Sequence, residues 1–154
     1  ASWLIHRDGC IQVKLDVKKD MEFPFLPRFG LRLFLDQSLD RVRYCGMGPD
    51  ESYPDKHQAS WHGIFEGDVR TMHRPYLKPQ EYGSHWACEY TQEELSEKAH
   101  DFELKEVGCT VLCLDHNQSG IGSGSCGPQL LEKYQFNEPE FSRTWVITPG
   151  KRKE

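Results

Sequence analysis

The sequence predicts an all-β protein, a large antiparallel β-sandwich that carries one short helix. Three observations lead to this prediction. Several short segments alternate apolar and polar residues with a period of two, as strands with one buried face do. Turn residues separate these segments, and only one stretch has the composition of a helix. Short strands in succession, without interleaved helices, favour a sandwich over an α/β fold.

The predicted strands begin near the N-terminus. One starts almost directly after Ala1, and in 11–18 Ile and Val or Leu alternate with polar residues, which predicts an amphipathic strand. The stretch 23–28, FPFLPR, is a proline-stiffened link. Leucine at every second position of 31–35 predicts the next strand, and 41–45 is a short one.

Three further segments, 85–90, 110–114 and 143–148, are candidate strands. The last residues, 150–154 (GKRKE), predict a frayed, charged tail that is disordered. The expected organisation is therefore one β domain over 1–149 and a tail over 150–154.

The single predicted helix has a clear start signal. Thr91 is followed three residues later by Glu94, which is the capping-box spacing, and 92–100 is rich in helix formers. We therefore expect one short, mostly polar helix near Thr91 to His100.

Composition excludes some classes of function. The 154 residues are 37% hydrophobic and 28% charged, which is typical of a globular domain. The net charge is −5 and the 19 Lys and Arg are scattered, so the basic face that nucleic acid needs is missing. No apolar run reaches the ~20 residues of a membrane span, and no signal peptide opens the chain. We expect a cytoplasmic protein, with a secreted or periplasmic one as the alternative.

The first residues, Ala1-Ser2-Trp3, lack an initiator methionine. We therefore expect the chain to be part of a longer polypeptide.

The six cysteines give no clear disulfide or metal pattern. The nearest is Cys109-x3-Cys113-x2-His116, but Cys109, Val111 and Cys113 alternate along a predicted strand and would share one face. We therefore expect Cys109 and Cys113 to be buried core cysteines. A structural zinc site is the alternative, and it lacks an obvious fourth ligand. We expect reduced thiols and assign no metal ligand.

No catalytic residue emerges from the remaining motifs. Gly46-x-Gly48 and the glycines of 120–124 do not open a helix, as a phosphate-binding loop requires. The carboxylates of 50–55 are neighbours rather than a pair facing across a bond. Asp50 and Asp55 are expected to bind local amides as turn formers. No Gly-x-Ser-x-Gly elbow is present, and nothing singles out a partner for a thiol nucleophile.

Five motifs, in order, carry a family resemblance. The segment 44–56, YCGMGPDESYPDK, resembles the signature W-x-G-x-G-P-x-E-x-Y-x-D-R of the C-terminal domain of glycoside hydrolase family 2 β-galactosidases. Four other segments are similar to further motifs of that domain: 26–31 (LPRFGL), 74–83 (RPYLKPQEYG), 90–104 with its short helix and H-x-x-x-L, and 115–128 (DHNQSGIGSGSCGP). The resemblance extends over almost the whole chain, from about Trp3 to Pro149.

The sequence departs from these motifs at four positions. Tyr44 replaces the usual tryptophan, Lys56 the usual arginine, Ser52 an asparagine and Tyr82 another asparagine. All but the last keep similar chemistry.

The resemblance implies a galactose-mutarotase-like supersandwich, of which this chain is a C-terminal part. It implies a fragment of a β-galactosidase that hydrolyses terminal non-reducing β-D-galactose residues, such as those of lactose, with retention. The acid/base and nucleophile glutamates of such enzymes lie on a separate barrel, so the fragment alone is expected to be inactive. This domain would support and cap that active site.

The alternative is a non-catalytic carbohydrate-binding or structural domain of another family 2 glycosidase. In either case the domain could also form a separate small subunit. The implied partners are the rest of the chain or a large subunit, and a galactoside substrate. The parent is expected to be oligomeric and to depend on Mg and Na, with no cofactor in this domain.

The resemblance also implies roles for particular residues. A rigid structural corner would be formed by Gly46, Gly48, Pro49, Glu51, Tyr53 and Asp55. The loop 120–128 would reach the aglycone site, where some family members carry an aromatic platform at the position of Cys126. Gln118 and Ser125 are the expected polar groups there, and the alternative is that Cys126 is only a packed loop cysteine.

Overall fold

The computed structural model describes residues 1–72, 87–98, 100–122 and 127–150. The chain divides into two compact units. Unit 1 comprises Ala1–Pro24 with Asn137–Glu154, and unit 2 comprises Phe25–Phe136. Strands dominate the described ranges and all their pairings are antiparallel, so the predicted all-β class is confirmed.

The described elements, in chain order, are β1 (Ser2–Ile5), β2 (Ile11–Lys18), β3 (Arg28–Leu35), β4 (Arg41–Gly48), β5 (Trp61–Asp68), α1 (Val69–Met72), β6 (Ala87–Cys88), α2 (Gln92–Glu97), β7 (Thr110–Gln118) and β8 (Glu140–Ile147). Short 3-10 turns lie at Asp101–Glu103 and Glu132–Tyr134.

Unit 1 is a three-stranded sheet in the order β1-β2-β8. The alternation predicted for β2 is observed, because its odd-numbered residues share one face. On that face Val13 is fully buried between Trp3 of β1 and Trp145 of β8, which are its cross-strand partners. Trp145 is also buried, whereas Trp3 on the edge strand is exposed.

Unit 2 contains two separate sheets, β3-β7-β6 and the β4-β5 ribbon. A small core lies where β6, β7 and α2 meet and consists of Cys88, Leu95 and Val111. Tyr90, Leu104, Cys109 and Cys113 pack against it.

The thiols Cys109 and Cys113 thus pack against the cluster that contains Val111, as their alternation predicted. Burial raises the pKa of the Cys88 thiol to about 11 and also raises that of Cys113. The five cysteines in the described ranges carry no disulfide.

Helix α2 begins as predicted and ends early. The Thr91 side chain accepts a hydrogen bond from the Glu94 amide at 3.2 Å, which is the expected cap. The helix stops at Glu97, three residues before the predicted end, because Lys98 is extended. The chain also contains a second helix, the single turn α1, so the prediction of one helix is wrong. Val and Thr in α1 are poor helix formers, which is why composition did not reveal it.

Other bounds differ from the sequence prediction. Strand β5 was not predicted, and β4 runs three residues further, to Gly48. Residues 85 and 86 of the predicted strand 85–90, and 151–154 of the tail, lie outside the described residues. No helix in the described part of the chain is long and apolar enough to cross a membrane.

Candidate functional site

The motif 44–56 begins inside a strand rather than in a loop. Strand β4 continues through Gly46 and Gly48, and the cis Gly48–Pro49 peptide then takes the chain into an irregular segment. A side chain cannot replace the hydrogen of Gly48, because a Cβ there would meet the Tyr44 hydroxyl and lie 2.8 Å from Cδ2 of Phe65. These two rings are cross-strand partners with centroids 5.4 Å apart. The glycine therefore makes room for an aromatic pair.

Asp55 joins this segment to the loop after β7. One carboxylate oxygen accepts from the Ile121 amide at 3.0 Å and the other from the Gly122 amide at 2.8 Å. Gly120 lies so close that a Cβ would meet the same carboxylate, and the ammonium of Lys56 donates to the Gly122 carbonyl. The expectation that Asp55 binds local amides is thus wrong: its partners lie 66 and 67 residues away.

Two side chains, those of Gln118 and Ser119, also fix the start of this loop. Nε2 of Gln118 donates to the Ser52 carbonyl at 3.1 Å. The buried Ser119 hydroxyl donates to the Leu26 carbonyl at 2.6 Å and accepts from the Phe136 amide at 2.8 Å. Both bonds to Ser119 connect segments far apart in sequence, so this hydroxyl fixes three stretches of backbone together.

A largely buried ion pair joins two further motifs. Arg28 at the start of β3 pairs with Asp115 on β7, and their side chains are only 10% and 20% exposed. The register between these strands shifts at Phe29 and Gly30, where a Cβ on Gly30 would lie 2.6 Å from Cα of Asp115. The glycine permits the close approach of the two backbones at this bulge.

We call these contacts, made by residues 26–30, 48–60 and 115–122, the motif cluster. Three of the five resembling motifs therefore meet within unit 2. The segment 74–83 lies outside the described residues, and 90–104 lies at the core of Cys88, Leu95 and Val111.

The corner residues Glu51 and Tyr53 contact each other. The buried Tyr53 ring directs its hydroxyl to the Glu51 carboxylate at 3.3 Å, and the Tyr53 backbone forms a two-bond bridge with Lys56. Ser60 donates to the carbonyls of Asp50 and Glu51, which closes the segment. These contacts stabilise a turn.

A cavity of about 160 Å³ lies beside the corner and is lined by Tyr44, Pro49, Glu51, Phe65, Glu66, Gly67, Thr71 and Met72.

Of the three residues predicted to lie near the aglycone, the structure describes only Gln118. Ser125 and Cys126 lie outside the described residues. Gln118 is described: its Nε2 binds Ser52, and its Oε1 is buried with no hydrogen-bond partner among the described residues. Its role toward a sugar stays a prediction. Sequence reasoning missed Ser119 and Ser60, because a serine beside glycine or alanine gives no signal of long-range bonding.

Within the described ranges, no group of three or more His, Cys, Asp or Glu side chains is placed to hold a metal ion. The motif cluster instead consists of side chains that bind backbone groups, together with the Arg28–Asp115 ion pair. It is the internal bracing of an all-β domain, with one loop held at its edge.

Comparison with known proteins assigns this domain. A family model described as the β-galactosidase small chain matches residues 1–89 and 86–147. The chain belongs to the β-galactosidase small-chain family.

Curated relatives agree with this assignment. A protein named β-galactosidase from Actinobacillus pleuropneumoniae is 43% identical over 89% of this chain and 16% of its own length. A β-galactosidase from Staphylococcus xylosus is 36% identical over 92% of this chain and 17% of its own length. One from Lactococcus lactis subsp. lactis is 31% identical over 89% of this chain and 16% of its own length. The chain thus spans about one sixth of the length of these relatives.

Proposed function

We propose that this chain is the part of a β-galactosidase that supports and caps the active site of a separate catalytic barrel. The whole enzyme removes terminal β-D-galactose, as from lactose, with retention through two barrel glutamates. The observation that supports this role is the Asp55 contact, which ties a rigid corner to the loop 120–122 in a member of the small-chain family. The partner is the rest of the same polypeptide or a separate large subunit.

The test is activity of the chain alone and of the whole enzyme. The purified chain is expected not to hydrolyse a nitrophenyl β-galactoside, because the acid/base and nucleophile glutamates are proposed to lie on the separate barrel. The whole enzyme is expected to do so and to release β-galactose first, observed by NMR of the anomeric proton. Turnover that survives purification and follows the folded fragment would contradict the proposal, as would release of α-galactose.

The loop 120–128 is proposed to contact the aglycone. Cysteine at 126 offers little surface for stacking on a sugar, so acceptor binding here would rest on shape and on polar groups such as Gln118 and Ser125. In the whole enzyme, Cys126→Trp is expected to strengthen binding of glucose as acceptor and to raise transfer relative to hydrolysis with lactose. Kinetics on a nitrophenyl galactoside should barely change, since galactose is bound by the barrel. An unchanged ratio would remove this loop from the site.

The proposal also includes the cellular location of the protein, its dependence on metal ions and its oligomeric state. We propose a cytoplasmic location, with a secreted or periplasmic one as the alternative. Dependence on Mg and Na is assigned to the barrel-bearing part, and oligomer formation to the whole enzyme.

A further inference from the structure

We propose that Asp55 is a positioning residue that sets the partition of galactose between transfer and hydrolysis. It acts through the backbone of Ile121 and Gly122, at the start of the loop 120–128. This inference rests on the proposed function, which places that loop at the aglycone.

The chemistry of the contact requires a carboxylate. Two amide N–H groups converge on one side chain, one on each oxygen, at 3.0 and 2.8 Å. An ionised carboxylate offers acceptors on both oxygens, and bonds to a charged group are stronger than neutral ones. Asparagine would keep one acceptor and place an NH₂ group against an N–H, so one bond becomes a repulsion.

The backbone at the start of the loop has little conformational freedom. Gly120 lies against the Asp55 carboxylate with no space for a side chain, and Gly122 has a φ of 65°, in the left-handed region. Lys56 binds the carbonyl of Gly122, while Asp55 binds its amide. Adjacent residues of the corner therefore hold both polar groups of one loop residue.

The far side of the loop is anchored as well. The Leu130 carbonyl accepts from Nε2 of Gln135 at 3.0 Å, and Leu130 packs against Gly120 and Gly122. Loss of the Asp55 contact therefore frees the backbone of Ile121 and Gly122, where the loop begins.

A purely structural Asp55 would behave differently. Loss of a structural carboxylate lowers the melting temperature and the amount of active enzyme, which scales all reactions equally. Loss of a positioning residue changes the fate of the galactosyl group at a fixed amount of active enzyme. The ratio of transfer to hydrolysis separates the two roles, since it does not depend on enzyme concentration.

The experiment uses the whole enzyme with Asp55→Asn, Lys56→Met and the control Asp36→Asn. Asp36 also accepts from a backbone amide, that of Ser38 at 2.9 Å, in an exposed turn. We expect Asp55→Asn to lower the transfer-to-hydrolysis ratio with lactose by at least about threefold, given how steeply such reactions depend on positioning. Activity on a nitrophenyl galactoside is expected to stay within about twofold. Lys56→Met should lower the ratio less, and Asp36→Asn should leave it unchanged.

Hydrogen exchange provides a second readout, independent of activity. The amides of Ile121 and Gly122 are expected to exchange faster in Asp55→Asn than in the unchanged enzyme or in Asp36→Asn. Unchanged exchange, or faster exchange with an unchanged ratio, overturns the proposal. If Asp55→Asn does not fold, Lys56→Met is tested instead. The same two quantities are measured: the transfer-to-hydrolysis ratio and the exchange rates of the Ile121 and Gly122 amides. Failure here together with a positive result for Cys126→Trp leaves the proposed function intact, whereas failure of both removes the loop from the site.

Discussion

Gly48 illustrates how single residues decide whether the corner can form. The strand continues through this position only because no side chain stands between the Tyr44 hydroxyl and the Phe65 ring. Gly46, two residues earlier on the same strand, has its nearest neighbour at an ordinary 3.7 Å. The motif therefore contains one glycine with a steric requirement and one without.

We expect Gly48→Ala to lower the free energy of unfolding by about 1–3 kcal/mol, because the added methyl group displaces two packed rings. Gly46→Ala is the matched control and is expected to be neutral or slightly stabilising, since alanine restricts the unfolded chain. Urea denaturation of both variants measures the difference. Equal stability of the two would contradict the steric account.

Asp55 shows which part of the site could be predicted from sequence. Its residue type and turn context identified it as an acceptor of backbone amides, and this is what its carboxylate does. Its partners, Ile121 and Gly122, could not be identified, because no local pattern encodes a contact formed by tertiary packing. The same holds for the Arg28–Asp115 pair, whose members are 87 residues apart.

At the scale of elements, the prediction succeeded where one face of a strand is buried. Strand β2 alternates cleanly because its odd residues face Trp145 and its neighbours on the same face. Strand β5, WHGIFEGD, has glycine at two positions and no clean alternation, and pairing with β4 makes it a strand. Strand β4 was expected to end at Cys45, but it continues through Gly46 to Gly48, and Gly48 accommodates the Tyr44 and Phe65 rings.

Helix α2 is also joined to β3 by an ion pair. The Arg32 guanidinium lies 2.8 and 2.6 Å from the two carboxylate oxygens of Glu93. Hydrogen bonds from Arg32 lower the pKa of Glu93 to about 2. The pair is exposed to solvent, with Glu93 62% accessible, so its contribution is expected to be about 0.5 kcal/mol, as for other surface pairs.

The direction of the pH dependence follows from the lowered pKa. The stabilisation by Glu93 is complete above its ordinary pKa of 4.5 and is lost as pH falls toward 2, because the folded state binds the proton less readily. We expect Glu93→Gln to be less stable than the unchanged chain at pH 7, with the difference disappearing between about pH 4.5 and 2. Denaturation at several pH values measures this. A double-mutant cycle with Arg32→Met checks the assignment, since Arg32→Met should add little once Glu93 is replaced.

At the scale of the whole molecule, β1 presents an apolar strand at the edge of the unit 1 sheet. It pairs with β2 on one side and with no described strand on the other. Trp3 and Ile5 on this strand are 63% and 71% exposed. An open apolar edge promotes pairing between chains.

The isolated chain is therefore expected to self-associate, and Ile5→Lys is expected to reduce this association. A charge on an edge strand is one way in which proteins prevent such pairing. Phe102→Lys is the control, because Phe102 is 85% exposed but lies in a 3-10 turn outside any sheet. Light scattering over a range of concentrations measures the apparent mass. A monomeric unchanged chain, or an equal effect of both variants, would be evidence against association through the edge.

The topology of unit 1 has a consequence for synthesis on the ribosome. Its sheet takes β1 and β2 from one end of the chain and β8 from the other, with the whole of unit 2 between them. Strand β2 must therefore wait, with one hydrogen-bonding edge open and its apolar face uncovered by Trp145, until β8 has emerged. Unit 2 has its own sheets and core and can fold during that interval. A chain that stalls within unit 2 is expected to expose the β1–β2 hairpin to chaperones and proteases until β8 emerges and pairs with β2.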